Sequence, residues 1–149
     1  MSPRLDHNAA SPAGMKALGG VYGHVLQSGL PSRLVELVFL RVSQINGCAF
    51  CLDMHATELA KKGVPATTLF LVQVWREAPG LFDARERAAL AWAEVVTRVA
   101  ETGVPDADYA AAAAVFTEKE LVDLTIAVGL MNAYNRIAVS FRAAPASTL

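Results

Sequence analysis

Cys48 and Cys51 are the only cysteines in the chain, and a histidine follows them in the stretch Gly47-Cys48-Ala49-Phe50-Cys51-Leu52-Asp53-Met54-His55. On a helix turning about 100° per residue, Cys48, Cys51 and His55 share one face. Two thiols and an imidazole so placed can do redox chemistry: a thiolate attacks a peroxide or disulfide, the second sulfur closes a bridge, and the imidazole moves the proton. Asn46-Gly47 is a turn dipeptide that ends an apolar helix, so the next begins near Cys48 with one or both sulfurs in its first turn. Unpaired N–H groups there favour a thiolate. A free thiol pKa of about 8.5 falls to roughly 3.5–7.5 in such settings.

Other chemistries fit the pair less well. Two buried thiols can serve as small apolar groups. A structural disulfide across four residues would close a short loop and remove little chain entropy. Zinc needs about four ligands, and Cys48, Cys51, His55 and one carboxylate could supply them. The chain has no second Cys-x-x-Cys or His pair, however, so no metal is expected. Which sulfur reacts stays open, because the helix N-terminus favours Cys48 and proximity to His55 favours Cys51.

Glu36 interrupts the apolar run Leu34-Val35-Glu36-Leu37-Val38. It could occupy a wet stripe beside Arg33. Alternatively, a tight Asn46-Gly47 turn packs its helix antiparallel to the cysteine helix. Glu36 then lies about ten residues before the turn and His55 about eight after it, at matching heights. There the carboxylate would orient His55, and His55 would take the proton of Cys51.

The elements that must position these groups all read as helices. They are Ser11 to Gly29, Pro31 to Ile45, Cys48 to Lys62, a shorter Pro65 to Trp75, and Asp83 to about Thr102, which should bury Leu90, Val95 or Val96, and Val99. Asp106 is a candidate cap for Tyr109 to Phe116, and Thr117-Glu118-Lys119-Glu120 is a capping box for a last helix from Glu118 to about Phe141. His24, alone on the first helix, reads as a surface or satisfied residue. No segment reads as a strand. The expectation is one all-α domain over 1–149, with six or seven helices, a core over about 12–142 and a disordered tail at 143–149.

Composition limits the partners. The chain has 149 residues, 54% of them hydrophobic and only 18% charged, more apolar than a monomer of this size needs, which points to a buried subunit interface. Net charge is -1 and the 13 Lys and Arg are scattered, so neither nucleic acid nor a membrane surface is expected as a partner. The N-terminus lacks a signal-peptide pattern and no long apolar run occurs, so a cytoplasmic home is expected. A reducing compartment would keep the pair as a dithiol.

The spacing of Glu36, Cys48, Cys51 and His55, set in Leu-Arg-Val-Ser-Gln-Ile-Asn-Gly-Cys-Ala-Phe-Cys-Leu-Asp-Met-His, resembles the AhpD-like (alkylhydroperoxidase D) branch of the carboxymuconolactone decarboxylase family. Asn132-Ala133-Tyr134-Asn135-Arg136 resembles a second motif of that family. The resemblance implies a helical bundle assembled as trimers or hexamers, with thiol peroxidase activity. It further implies that Cys51 is oxidised by the peroxide, that Cys48 resolves it, and that Glu36 and His55 form a proton relay. No cofactor would be bound. An external dithiol, carried by a lipoylated or thioredoxin-like protein, would be the reductant. Phe50 departs from the pattern, since the best-known members carry a histidine directly before the second cysteine. The decarboxylating members generally lack the Cys pair, so the dithiol argues against their chemistry. On residue types alone, Asn132 to Arg136 could bind a ligand, but satisfying helix ends or a subunit contact is the commoner use. A redox sensor or an oligomeric small-molecule-binding protein of the same fold is the alternative to an enzyme.

Overall fold

The computed structural model describes residues 2–148, and its regular elements are helices: α1 (His7–Ala10), α2 (Pro12–Gln27), α3 (Ser32–Asn46), α4 (Ala49–Lys61), α5 (Ala66–Leu71), α6 (Ala84–Thr97), α7 (Val99–Thr102), α8 (Asp106–Ala113) and α9 (Glu118–Phe141). No strand occurs among the described residues. Setting aside the single turns α1 and α7, the remaining helices number seven, as the sequence implies.

α3 is the central element because it is apolar nearly all round, and Leu34 through Leu40 are buried without interruption. One face, with Val35, Val38, Phe39 and Val42, joins Val25 of α2 and Leu124, Val128 and Met131 of α9. The opposite face, with Leu37 and Leu40, packs on Leu59, Val72, Trp75 and Leu90. Each such side chain contributes about 1.5–3 kcal/mol by leaving water. Consequently α3 is held from both sides and can carry polar groups in fixed positions.

The capping boxes set the starts of two neighbours. Thr117 Oγ1 accepts the Glu120 N–H while Glu120 Oε2 accepts the Thr117 N–H at 2.9 Å, and Asp83 and Glu86 do the same for α6. α9 accordingly spans Glu118–Phe141, as its sequence signals predict.

Three expectations are corrected. The helix from Asp83 stops at Thr97, where Arg98 leaves helical geometry, and Val99 in the turn beyond is 55% exposed instead of buried. Asp106 does not cap; it is the first residue of α8 after Pro105, and that helix ends at Ala113, short of Phe116. The segment Pro65 to Trp75 divides into α5 and a 3-10 stretch, Val72–Glu77, because burying Trp75 with its indole N–H on Glu94 tightens the chain. Beyond α9, Arg142 reverses the chain in left-handed geometry, Ala143 packs on the core, and the Ser147 N–H donates to Asp53 Oδ2 of α4 at 3.1 Å. Leu149 lies outside the described residues. Among these elements no helix is long and apolar enough to cross a membrane.

Candidate active site

Gly47 makes the turn between α3 and α4. Its φ of 66° is left-handed, which glycine adopts without steric cost, and the Cys48 N–H beyond it donates back to the Ser43 carbonyl at 3.0 Å. Cys48 thereby lands on the N-cap of α4, with its Sγ accepting the Cys51 N–H at 3.4 Å. One turn on, the Cys51 Sγ lies 2.8 Å from the Cys48 Sγ, and both side chains are buried.

These contacts separate the two thiols. The hydrogen bond from the Cys51 thiol brings Cys48 down to about 7; burial opposes this, and the Cys51 and Phe50 backbone N–H groups and the Asn135 side chain assist it. Cys51 moves up, because its bond to Cys48 keeps its proton in place, with burial and the Cys48 charge adding to the effect. Either sulfur could donate across the 2.8 Å contact. The proton belongs on Cys51, since Cys48 already accepts a backbone N–H.

Glu36 and His55 meet as the register predicts. His55 Nδ1 donates to Glu36 Oε2 at 2.8 Å, both residues being buried, at 1% exposure for His55 and 3% for Glu36. A carboxylate can only accept, so the proton of this bond sits on Nδ1, and in the neutral ring Nε2 is then a lone pair. That Nε2 has no hydrogen-bond partner among the described residues. The Phe39 ring packs against the imidazole, centroids 5.1 Å apart. Arg33 does not accompany Glu36, because it pairs with Glu86 at 2.8 Å. Thus the structure forms the Glu36–His55 half of the expected relay, whereas neither sulfur is hydrogen-bonded to His55. No three of His, Cys, Asp and Glu cluster as a metal site would require among the described residues.

Asn135 is the site residue that the residue types alone did not single out. It is 1% exposed, its Nδ2 donates to Ser43 Oγ at 3.0 Å, and its Oδ1 accepts from Asn46 Nδ2 at 2.9 Å. It lies beside both sulfurs and favours their ionised forms. Asn46 also donates to Asn132 Oδ1 at 3.0 Å, which Arg136 reaches from outside at 2.8 Å. The motif therefore ties α9 to the end of α3 within the subunit. A polar residue one turn from buried Met131, on a face that is otherwise apolar, was the available signal. His24 stands apart, half-exposed and bonded to Asp123 at 2.9 Å.

A pocket of about 370 Å³ opens on Cys51 between Tyr22, Phe50, Met54, Tyr134 and Ile137; Cys48 is not on its wall. A larger groove, about 530 Å³, runs beside Trp92 and Tyr109 and reaches none of the four site residues.

Comparison with known proteins identifies the family and the fold. Residues 12–95 match the family described as the carboxymuconolactone decarboxylase family. The uncharacterized protein YdfG of Bacillus subtilis (strain 168) is 33% identical over 140 residues, covering 94% of this chain and 95% of its own. The crystal structure of an Agrobacterium tumefaciens protein of unknown function, described as a candidate antioxidant defence protein AhpD, superposes with a TM-score of 0.92 at 42% identity, covering 97% of this chain and 98% of that one. An uncharacterized peroxidase-related protein from Silicibacter sp. TM1040 gives a TM-score of 0.79 at 25% identity, over 89% of this chain and 70% of that one.

Proposed function

This chain belongs to the carboxymuconolactone decarboxylase family, with an AhpD-like fold, and from that membership and its dithiol we propose that it is a thiol-dependent peroxidase reset by disulfide exchange. The observation that carries the reading is the pair of sulfurs 2.8 Å apart, with Cys51 alone on the pocket wall. A hydroperoxide entering that pocket meets Cys51 first. Attack by Cys51 requires its proton to leave, and two acceptors are at hand: the Cys48 thiolate and the free Nε2 of His55, one helical turn away. Glu36 holds the imidazole through Nδ1, in the tautomer whose Nε2 accepts. Sulfenic acid on Cys51 is then displaced by Cys48, giving the disulfide and water.

An external dithiol, on a lipoylated or thioredoxin-like protein, would restore the pair. Exposed Phe70, Val122 and Val139 suit burial between subunits, so sedimentation should give a trimer or a multiple of it. The catalytic assignment is tested with dimedone, which traps sulfenic acids. After one equivalent of hydroperoxide, Cys48→Ser should carry the adduct on Cys51 and fail to turn over. A wild type oxidised once by peroxide but never cycled by any dithiol would instead be a redox switch.

A further inference from the structure

Cleaving an O–O bond leaves a basic alkoxide, and no lysine or arginine lines the pocket at Cys51 to receive that charge. Two phenols do line it: Tyr22 from α2 and Tyr134 from α9. Neither hydroxyl has a hydrogen-bond partner among the described residues, although both rings are half-buried. The remaining polar side chains on the wall, His7 and Asn8, come from the single turn α1, none of whose residues is buried. Tyr22 is fixed by stacking on Phe39, centroids 6.0 Å apart, and Phe39 in turn packs on His55.

We propose that Tyr22 and Tyr134 form the hydroperoxide-binding and proton-donating wall of this site, hydrogen-bonding the departing oxygen and protonating it as the O–O bond breaks. This rests on the peroxidase reading above and assigns the donor it leaves unnamed. Both phenols hold their protons at neutral pH, since burial raises each, and the carboxylates of Glu36 and Glu58 raise Tyr22 further, together with the neighbouring Tyr134.

The step balances. A lone pair of the Cys51 thiolate forms the S–O bond, the O–O bond breaks, and its electron pair stays on the alkoxide oxygen, which takes the phenolic proton. Water at the pocket mouth reprotonates the phenolate. Sulfur is oxidised by two electrons to the sulfenic acid while the hydroperoxide is reduced to an alcohol. Cys48 closes the disulfide and the external dithiol reopens it.

The test compares wild type with Tyr22→Phe, Tyr134→Phe and the double variant, which keep both rings. Thiol loss is followed with tert-butyl hydroperoxide, with peracetic acid and with iodoacetamide. General-acid assistance contributes about 10²- to 10⁴-fold. The double variant should therefore react at least about 10²-fold more slowly with tert-butyl hydroperoxide, each single variant less so. Peracetic acid expels a weakly basic acetate and iodoacetamide expels iodide, so both rates should stay near wild type. Equal slowing by all three reagents would reduce the tyrosines to packing and overturn the proposal, as would an unchanged rate with tert-butyl hydroperoxide. A wild type inert to both peroxides yet alkylated normally would overturn the peroxidase reading itself, a distinct result.

Discussion

Two buried carboxylates, one on α3 and one on the neighbouring α6, are treated in opposite ways. Glu94, on α6, receives Arg41 Nε at 2.7 Å, Trp75 Nε1 at 3.1 Å and Arg76. Burial pushes its carboxyl up, but the bonds from Arg76, Arg41 and Trp75 outweigh this and hold it low. Glu36, on α3 itself, has among the described residues a single side-chain partner, His55, and no arginine or lysine, and the far nitrogen of that partner is unbonded there. Fully satisfied buried networks fix a fold, whereas an unsatisfied buried group is the exception that needs a use. Under the proposed function, the difference separates a clamp between helices from a group set to exchange a proton.

Substitutions should divide along the same line. The largest effect is expected from His55→Ala, which removes one of the two acceptors of the Cys51 proton: oxidation of the thiols by hydroperoxide should slow by about 10²- to 10⁴-fold, with helical circular dichroism retained. Next comes Glu94→Ala, which strands Arg41, itself only 12% exposed, and should cost about 3–5 kcal/mol in urea unfolding while the folded fraction keeps its oxidation rate. Since the folded-state carboxyl of Glu94 lies below its unfolded value, its contribution is present above the unfolded pKa and is lost as pH falls through the folded one. Glu94→Gln should accordingly weaken that acid sensitivity. Glu36→Gln keeps the shape beside His55 and should slow oxidation by less than His55→Ala, with little loss of stability; a rate equal to wild type would place Glu36 with Glu94 as a structural group. Smallest is a shift in profile: iodoacetamide alkylation should rise with pH through about 7, the Cys48 value, and Asn135→Leu should move the midpoint upward.

The parts of this arrangement that were legible in the sequence are those set locally. Thr117 and Glu120 define the start of α9, and Gly47 fixes a turn whose geometry carries Glu36 to His55 through counting alone. Asn135 became legible as a thiol neighbour only once the face that α9 turns to α3 was known, because Ser43 and Asn135 are 92 residues apart. The pocket has the same origin, joining Tyr22 and Tyr134 across α2 and α9. Apolar patterning could not foresee that Val99 stays outside, because the kink at Arg98 breaks the helical phase on which its burial depended.

The central claim is that this dithiol turns over peroxide through Cys51, and it is tested most directly by steady-state consumption of a protein dithiol in the presence of hydroperoxide, wild type against Cys51→Ser. Sustained turnover by wild type and none above background by Cys51→Ser is the predicted result. Turnover that survives the loss of Cys51 would contradict it.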